Sequence, residues 1–243
     1  MGPKNKSKNG GSYPKPEAEH DDFIFFHKEW EDYGFLSNYT PAKFSAPDPA
    51  LACAAWLISE NNGVHTSSCS VTIHTDNLKD IPAIQFNHSE QYYMYCKAVC
   101  FGDTAAASSI LAASKASDCK DTARQIRHYD AAVWAANGRK LRVMADALWY
   151  KFGGAHLQQV LEDGGSWLGR EARFETLPDL GRKLLATGDC VLVEAAGRDS
   201  FWGIGYGIKQ RPFRYQKNWG QNHLGKSLIS TRERLRKLVE ALE

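Results

Sequence analysis

The stretch Asn87-His88-Ser89-Glu90-Gln91-Tyr92-Tyr93-Met94-Tyr95-Cys96-Lys97-Ala98 decides how the chain is read. Ser89 stands where a helix N-cap is expected, since its short oxygen-bearing side chain can take a free amide proton of the first turn. Glu90 then falls in that first turn, where the positive end of the helix dipole favours a carboxylate. At 3.6 residues per turn, Glu90, Met94 and Lys97 share one face, with the acid and the amine roughly 10 Å apart. A small substrate can span that distance. A capped core helix whose Glu and Lys are merely solvated explains the same pattern, and for such a helix taken alone it is the better explanation.

A hundred residues on, Asp199-Ser200-Phe201-Trp202-Gly203-Ile204-Gly205 follows Cys190-Val191-Leu192-Val193-Glu194-Ala195, a run apolar enough to be a central strand. Alternating Gly and aromatic residues in this loop allow close backbone approach to a ligand. Near the start, Phe23-Ile24-Phe25-Phe26-His27 suits a buried strand and leads into the turn-rich Tyr33-Gly34-Phe35-Leu36-Ser37-Asn38-Tyr39. Ser37 and Asn38 either line a site or tie up that turn. Asn61-Asn62-Gly63 ahead of Val71-Thr72-Ile73-His74-Thr75 suggests a hairpin, and Ile84-Gln85-Phe86 is a last short strand before the Glu90 helix.

Helices account for most of the rest. Residues 104–116 are Ala-rich and helical, and Asp118 or Asp121 can start a short helix carrying Lys120 and Arg124. Asp130 is placed to cap one long helix through Phe152, with Trp134, Leu141, Met144 and Leu148 at helical spacing despite Asn137-Gly138. A helix from His156 to Glu162 follows, and 163–176 reads as a long surface loop. Pro178 and Gly188 bracket a further helix. Asn222 is a candidate cap for the last one, in which Leu224, Leu228, Leu235, Leu238 and Leu242 face the core and the Arg and Lys residues face out. The expectation is an α+β single domain, mainly helical, packed around a small β-sheet.

With 243 residues, 43% of them hydrophobic, the chain can bury one substantial core. Residues 1–20 are Lys, Asn, Gly, Pro and Ser without an apolar run, so a disordered tail or an expression remnant is expected there and not a secretory leader. No span approaches transmembrane length. The six cysteines include no C-x-x-C pair, which favours a reducing, intracellular setting, cytoplasmic or nuclear. The eight histidines form no ligand-spaced cluster, so no metal and no cofactor is expected. Net charge is +2, but residues 209–243 carry nine Lys and Arg against three Glu, while 21–208 stand at −6. A basic end on an acidic body fits an anionic partner, phosphate or nucleic acid, and equally a solvated basic helix.

Taken together, ordered blocks from residue 23 to 240 resemble the NADAR, or YbiA-like, family. They are Phe35-Leu36-Ser37-Asn38, Ser89-Glu90-Gln91-Tyr92 with Lys97, Phe101-Gly102-Asp103, Lys120 with Arg124, Trp134, Lys151-Phe152, Leu184-Leu185-x-Thr187-Gly188-Asp189, Val193-Glu194-Ala195, Asp199-x-x-Trp202-Gly203-x-Gly205 and Trp219-Gly220-x-Asn222-x-Leu224-Gly225. Each is weak alone; their order makes the match specific. The resemblance implies a YbiA-like catalytic domain over 21–243, with insertions near 46–83 and 163–178. It implies an N-glycosidase that removes ADP-ribose from the amino group of guanine in nucleosides or nucleic acid. Family members also act on phosphoribosylated riboflavin-pathway intermediates, and a non-catalytic ADP-ribose or NAD-binding module is a third reading. Glu90, Trp134 and Asp199 match positions implicated in catalysis or tight substrate contact, with Lys97 beside the same pocket. Ser37, Asn38, Tyr92, Arg124, Trp202, Gly203 and Asn222 are the accompanying substrate-binding candidates. The expected partner is an ADP-ribose-containing substrate, with ADP-ribosylated DNA or RNA as its polymeric form, and no membrane. Where many members carry His and Gln, this chain has Gln91 and Met94, as in a second branch of the family.

Breaking a ribose C1–N bond builds oxocarbenium character on the sugar and negative charge on the departing nitrogen. A carboxylate near the first and a proton donor near the second are what the reaction needs. Glu90 and Asp199 can divide those roles. Alternatively, Lys97 attacks a ring-opened ribose through a Schiff base, which requires a lowered pKa. Trp134 and Trp202 are suited to stacking on a base or sugar, and Arg124 or the basic tail to holding the diphosphate. For Trp134 a plain core aromatic is an equal alternative.

Overall fold

A computed structural model describes residues 22–52 and 81–240. The tail at 1–20, the hairpin around Asn61-Asn62-Gly63, the strand at 71–75 and Leu242 lie outside the described residues. Among the described residues the strands form two pairs. Strand β1 (Phe23–Phe26) runs parallel to β4 (Val191–Glu194), with Phe23 opposite Val191 and Phe26 opposite Glu194. Strand β2 (Phe44–Pro47) runs antiparallel to β3 (Ala83–Phe86), with Phe44 opposite Phe86. Around them lie α1 (Pro49–Ala52), α2 (Ser89–Cys100), α3 (Thr104–Ala112), α4 (Ala116–Ala123), α5 (Ala131–Ala135), α6 (Arg139–Lys151), α7 (Gly154–Glu162), α8 (Arg170–Thr176), α9 (Asp179–Leu185) and α10 (His223–Glu240). Among the described residues no helix is long and apolar enough to cross a membrane.

Helix α2 is the centre of the fold. Every residue from Ser89 to Cys96 is buried, and the helix packs against α3, α4 and α6. A helix surrounded on all sides has no solvated face. Glu90, at 5% exposure, is therefore a buried acid, and the solvated-face explanation of the motif falls.

Its N-cap is His88 and not Ser89, which is the first helical residue. His88 Nδ1 accepts the Gln91 amide at 3.0 Å, which requires a neutral ring. Burial, reinforced by the charge of Lys151, lowers His88 to about 4 and keeps it neutral. Gln91 is scaffold: its Nε2 donates to the carbonyls of Ile110, Leu111 and Ala113 (3.0, 3.1 and 2.9 Å), and its Oε1 accepts the Asn87 amide at 2.7 Å.

Three other expectations are corrected. The long helix from Asp130 breaks at Asn137 (φ 52°) and Gly138 (φ 69°), so Asp130 caps only α5. The surface loop at 163–176 contains α8, tied down by buried Arg173, which donates to the carbonyls of Leu168, Ser166 and Leu238. On α10, Arg232 faces inward, donating to Thr187 Oγ1 and to the Cys190 carbonyl at 2.8 and 2.9 Å. Arg234 lies over the Trp149 ring, and Arg236 pairs with Asp189 and Glu233. Much of the cationic charge on α10 therefore serves the fold.

Candidate active site

Parallel strands in α/β proteins present ligands beyond their carboxyl ends, where the chain leaves the sheet. A cleft of about 940 Å³ opens at that end of the β1–β4 pair. One wall is the segment after β1, including His27 and Lys28; the other runs from Glu194 through Asp199 to Trp202. The floor is α2, through Glu90, Tyr93 and Met94, with Ser37, Asn38, Tyr39 and Lys120 closing the side.

Each acid is held by a distinct local device. The Glu90 amide donates to the Asn38 carbonyl at 3.2 Å, and the Asn38 side chain hydrogen-bonds the Glu90 carboxyl. The turn bearing Asn38 is fixed from below by Lys151, buried at the end of α6, which donates to the carbonyls of Phe35 and Ser37 at 2.8 Å each. Glu194 ends β4, and Asn222 completes the ladder there: its Oδ1 accepts the Glu194 amide at 3.0 Å and its Nδ2 donates to Leu192 O at 2.9 Å. Asp199 Oδ1 accepts the amides of Phe201 and Trp202 at 2.9 and 2.8 Å, which folds the loop into a tight turn. Gly203 lets that turn close on the strand. A Cβ there would meet the Glu194 carbonyl at 2.6 Å and the Asp199 carbonyl at 3.1 Å.

The cleft is electrostatically unusual. Burial pushes Glu90 up to about 7, with Asp199 raising it further and Lys120, Asn38 and Lys97 working against the rise. Burial also pushes Glu194 up to about 8, reinforced by the charges of Asp199 and Glu90. Its Oε2 is buried without a hydrogen-bond partner. Burial disfavours the charge of Lys120, but the Tyr39 hydroxyl at 3.1 Å and the charges of Glu90 and Asp199 outweigh it, so its amine lies above the ordinary lysine value. Two carboxyls that share a proton-holding tendency beside one firmly charged lysine are the pattern of an acid–base site. Among the described residues, no group of three or more His, Cys, Asp or Glu is placed to hold a metal ion.

Of the residues singled out from the sequence, Ser37, Asn38, Glu90, Asp199 and Trp202 line the cleft. The others lie elsewhere. Lys97 donates to the Ala123 carbonyl at 3.2 Å and sits 3.9 Å over the Tyr129 ring; burial lowers its amine below the ordinary lysine value. Tyr92 is a core aromatic packed on Phe44, Phe86 and Tyr150. Trp134 stands one layer behind the cleft, its Nε1 donating to the Tyr93 hydroxyl at 3.0 Å. Arg124 is exposed and paired with Asp121. Gly203 and Asn222 shape the backbone around Glu194, and Asn222 (φ 49°) spends its side chain on β4, not on capping α10.

Glu194, Lys120 and Tyr39 were not singled out as site residues. For Glu194 a signal existed: it is an acid at the carboxyl end of an otherwise apolar strand, the end beyond which α/β sheets present their ligand sites.

A mostly helical α+β domain with buried, proton-holding carboxyls at the mouth of a parallel strand pair is the kind of framework that carries acid–base hydrolysis. The chain belongs to the NADAR family: the NADAR domain is matched over residues 24–236. It is 29% identical over 150 residues to N-glycosidase R617 of Acanthamoeba polyphaga mimivirus, covering 61% of this chain and 74% of that protein. It is 28% identical over 219 residues to N-glycosidase Npun_R5314 of Nostoc punctiforme, covering 89% and 94%. The NMR structure of the E. coli protein YbiA superposes with a TM-score of 0.51 over 89% of this chain and 86% of that one, at 20% identity, a likeness of fold.

Proposed function

We propose that this chain is an N-glycosyl hydrolase that removes ADP-ribose from the amino group of guanine. The observation that carries the reading is the gathering of Glu90, Glu194 and Asp199 with Lys120 in one cleft, two of the acids held well above their ordinary pKa. Near neutral pH Glu194 keeps its proton and is the donor to the departing guanine nitrogen. Glu90, poised near 7, takes the proton of the attacking water. Water adds to the ribose C1, the C1–N bond breaks with its electron pair going to nitrogen, and nitrogen receives the Glu194 proton. Asp199 stands against the positive charge that develops on the sugar.

Family membership and the relatives named N-glycosidases support the reaction type. The cleft, at about 940 Å³, has room for a dinucleotide-sized group. Trp202 offers a flat apolar surface, and Lys28, Lys120 and Lys209 bring positive charge for a diphosphate. A module that only binds ADP-ribose gains nothing from carboxyls held protonated in a buried site. Incubation with ADP-ribosylated guanosine should release free ADP-ribose. Binding of ADP-ribose without any release would remove the hydrolase reading for this substrate.

A further inference from the structure

The segment after the Asp199 loop carries positive charge alone. From Ser200 to Arg232 the chain contains no Asp or Glu. Two 3-10 turns, Ile208–Gln210 and Pro212–Asn218, present Lys209, Arg211, Arg214 and Lys217 to solvent. Beside them Tyr206 and Tyr215 stack face to face, centroids 5.1 Å apart and planes 4° apart, with Tyr215 45% exposed. The segment is rigidly seated. Phe213 and Trp219 pack on the Phe23 ring at 5.7 and 5.9 Å, and Trp219 Nε1 donates to the Pro212 carbonyl at 2.8 Å. Arg211, the link between the two turns, is held at φ 52°, a strained conformation for a residue with a side chain. The same segment forms the rim of the cleft, since Gly207, Ile208, Lys209 and Gln210 line it.

We propose that this lip is a docking platform for a single-stranded nucleic acid, placed to hold the strand whose modified guanine enters the cleft. The proposal rests on the reading of the cleft given above for the place where the base enters, but the binding itself does not. Cations at intervals of two or three residues track a phosphate backbone. An exposed tyrosine stack supplies a face for an unpaired base, the combination by which proteins hold single strands without reading sequence. An anionic membrane surface would need no flat aromatic face, and Ile208 is the one aliphatic side chain among the exposed residues of 206–218. An acidic peptide would gain little from stacking.

The test is binding of an unmodified, labelled 12-nucleotide single strand, followed by fluorescence anisotropy across salt concentrations. If each cation neutralises one phosphate, the logarithm of affinity falls with the logarithm of salt with a slope of about −0.7 per contact. The triple variant Arg211→Gln/Arg214→Gln/Lys217→Gln should lower the magnitude of that slope by about 2 and weaken binding at least tenfold at low salt, with an unchanged circular dichroism spectrum. Tyr215→Ala should weaken oligonucleotide binding about tenfold while leaving binding of inorganic polyphosphate unchanged. Hydrolysis of free ADP-ribosylated guanosine by the triple variant should equal wild type. An unchanged salt slope, equal effects of Tyr215→Ala on both polyanions, or tighter binding to phosphatidylserine vesicles than to the oligonucleotide would overturn the proposal. Because the probe is unmodified and needs no turnover, oligonucleotide binding by a chain that releases no ADP-ribose would overturn the hydrolase reading and leave the platform standing.

Discussion

The Lys151 ammonium lies 2.8 Å from the carbonyl oxygen of Ser37, the residue before the asparagine that hydrogen-bonds Glu90. Lys151 is buried, and burial lowers its amine to about 7. Burying an unpaired lysine is costly, so its place under the Phe35–Asn38 turn calls for a return, and positioning Glu90 supplies one. Lys151→Met should lower kcat about ten- to a hundredfold although Lys151 does not reach the cleft. The sign of the pH dependence follows from the lowered value. Between about pH 7 and 10.5 the unfolded chain holds a proton that the folded chain lacks, so this group's contribution to stability rises with pH at about 1.4 kcal/mol per unit. Urea denaturation at pH 7 and 9 should show wild type gaining about 2–3 kcal/mol on the variant; parallel behaviour would mean that the buried amine is not titrating there.

Glu194 and Glu90 together predict a bell-shaped pH profile. Glu90 must lose its proton to act as base and Glu194 must keep its own to act as acid, so activity should rise through about pH 7 and fall through about pH 8 as the pair titrates. Glu194→Gln should cut kcat at least about a hundredfold and remove the alkaline limb. An alkaline limb that survives in the variant assigns it to another group.

The same raised values make a stability prediction of opposite sign to that of Lys151. Between the unfolded value near 4.5 and about 8, native Glu194 holds a proton that the unfolded chain has released, so its contribution is present at low pH and is lost as pH rises through 8. Glu194→Gln should therefore gain on wild type by roughly 2–4 kcal/mol between pH 5 and pH 9. Denaturation midpoints at the two pH values check this, and a constant difference would count against a buried, titrating carboxyl.

Glu90→Gln should lose turnover at least about a hundredfold yet bind ADP-ribose within about threefold of wild type by calorimetry, since Gln keeps the shape and the hydrogen bond to Asn38. Should turnover persist, Glu90 is structural and the water must be activated elsewhere. Among the amines, reductive trapping during turnover should leave Lys120 unmodified, because its value is raised and it stays charged, and should leave Lys97 unmodified, because it lies outside the cleft lining and is turned to the Ala123 carbonyl; a ribosyl adduct on either would replace direct hydrolysis with a ring-opened route.

Helix α2 and the Asp199 loop were legible because their signals are local: a carboxylate in a first turn, glycines where backbones must approach. What escaped was set by long-range packing. No spacing rule reveals that His88 caps α2, since the cap works only after burial and Lys151, more than sixty residues away, keep the ring neutral. Nor does the sequence show that Lys97 turns toward Ala123 while Lys120 reaches the cleft, because α4 is brought to α2 only in the fold. Gly138 was visible, but the break depends equally on Asn137 taking a left-handed conformation, which Asn tolerates without demanding.

Gln91 and Met94, about one turn apart on α2, play separate parts in the structure. Gln91 satisfies three carbonyls at the end of α3 and the amide of Asn87, and it does not line the cleft; Met94 does. A shorter or differently forked side chain at 91 takes the donor from the part-buried carbonyls of Leu111 and Ala113 and the acceptor from the Asn87 amide, at about 1–3 kcal/mol for each group left unsatisfied. Gln91→His should therefore destabilise the protein by roughly 2–4 kcal/mol and, in molecules that remain folded, leave the ratio of kcat/KM between ADP-ribosylated guanosine and a phosphoribosylated pyrimidine unchanged. Met94→Gln should do the reverse, holding Tm within a few degrees while shifting that ratio several-fold, because it replaces a thioether with an amide in the floor of the cleft. If Gln91→His shifts the ratio and Met94→Gln does not, the substrate is read from the α3 side of α2, and the cleft assignment fails with it.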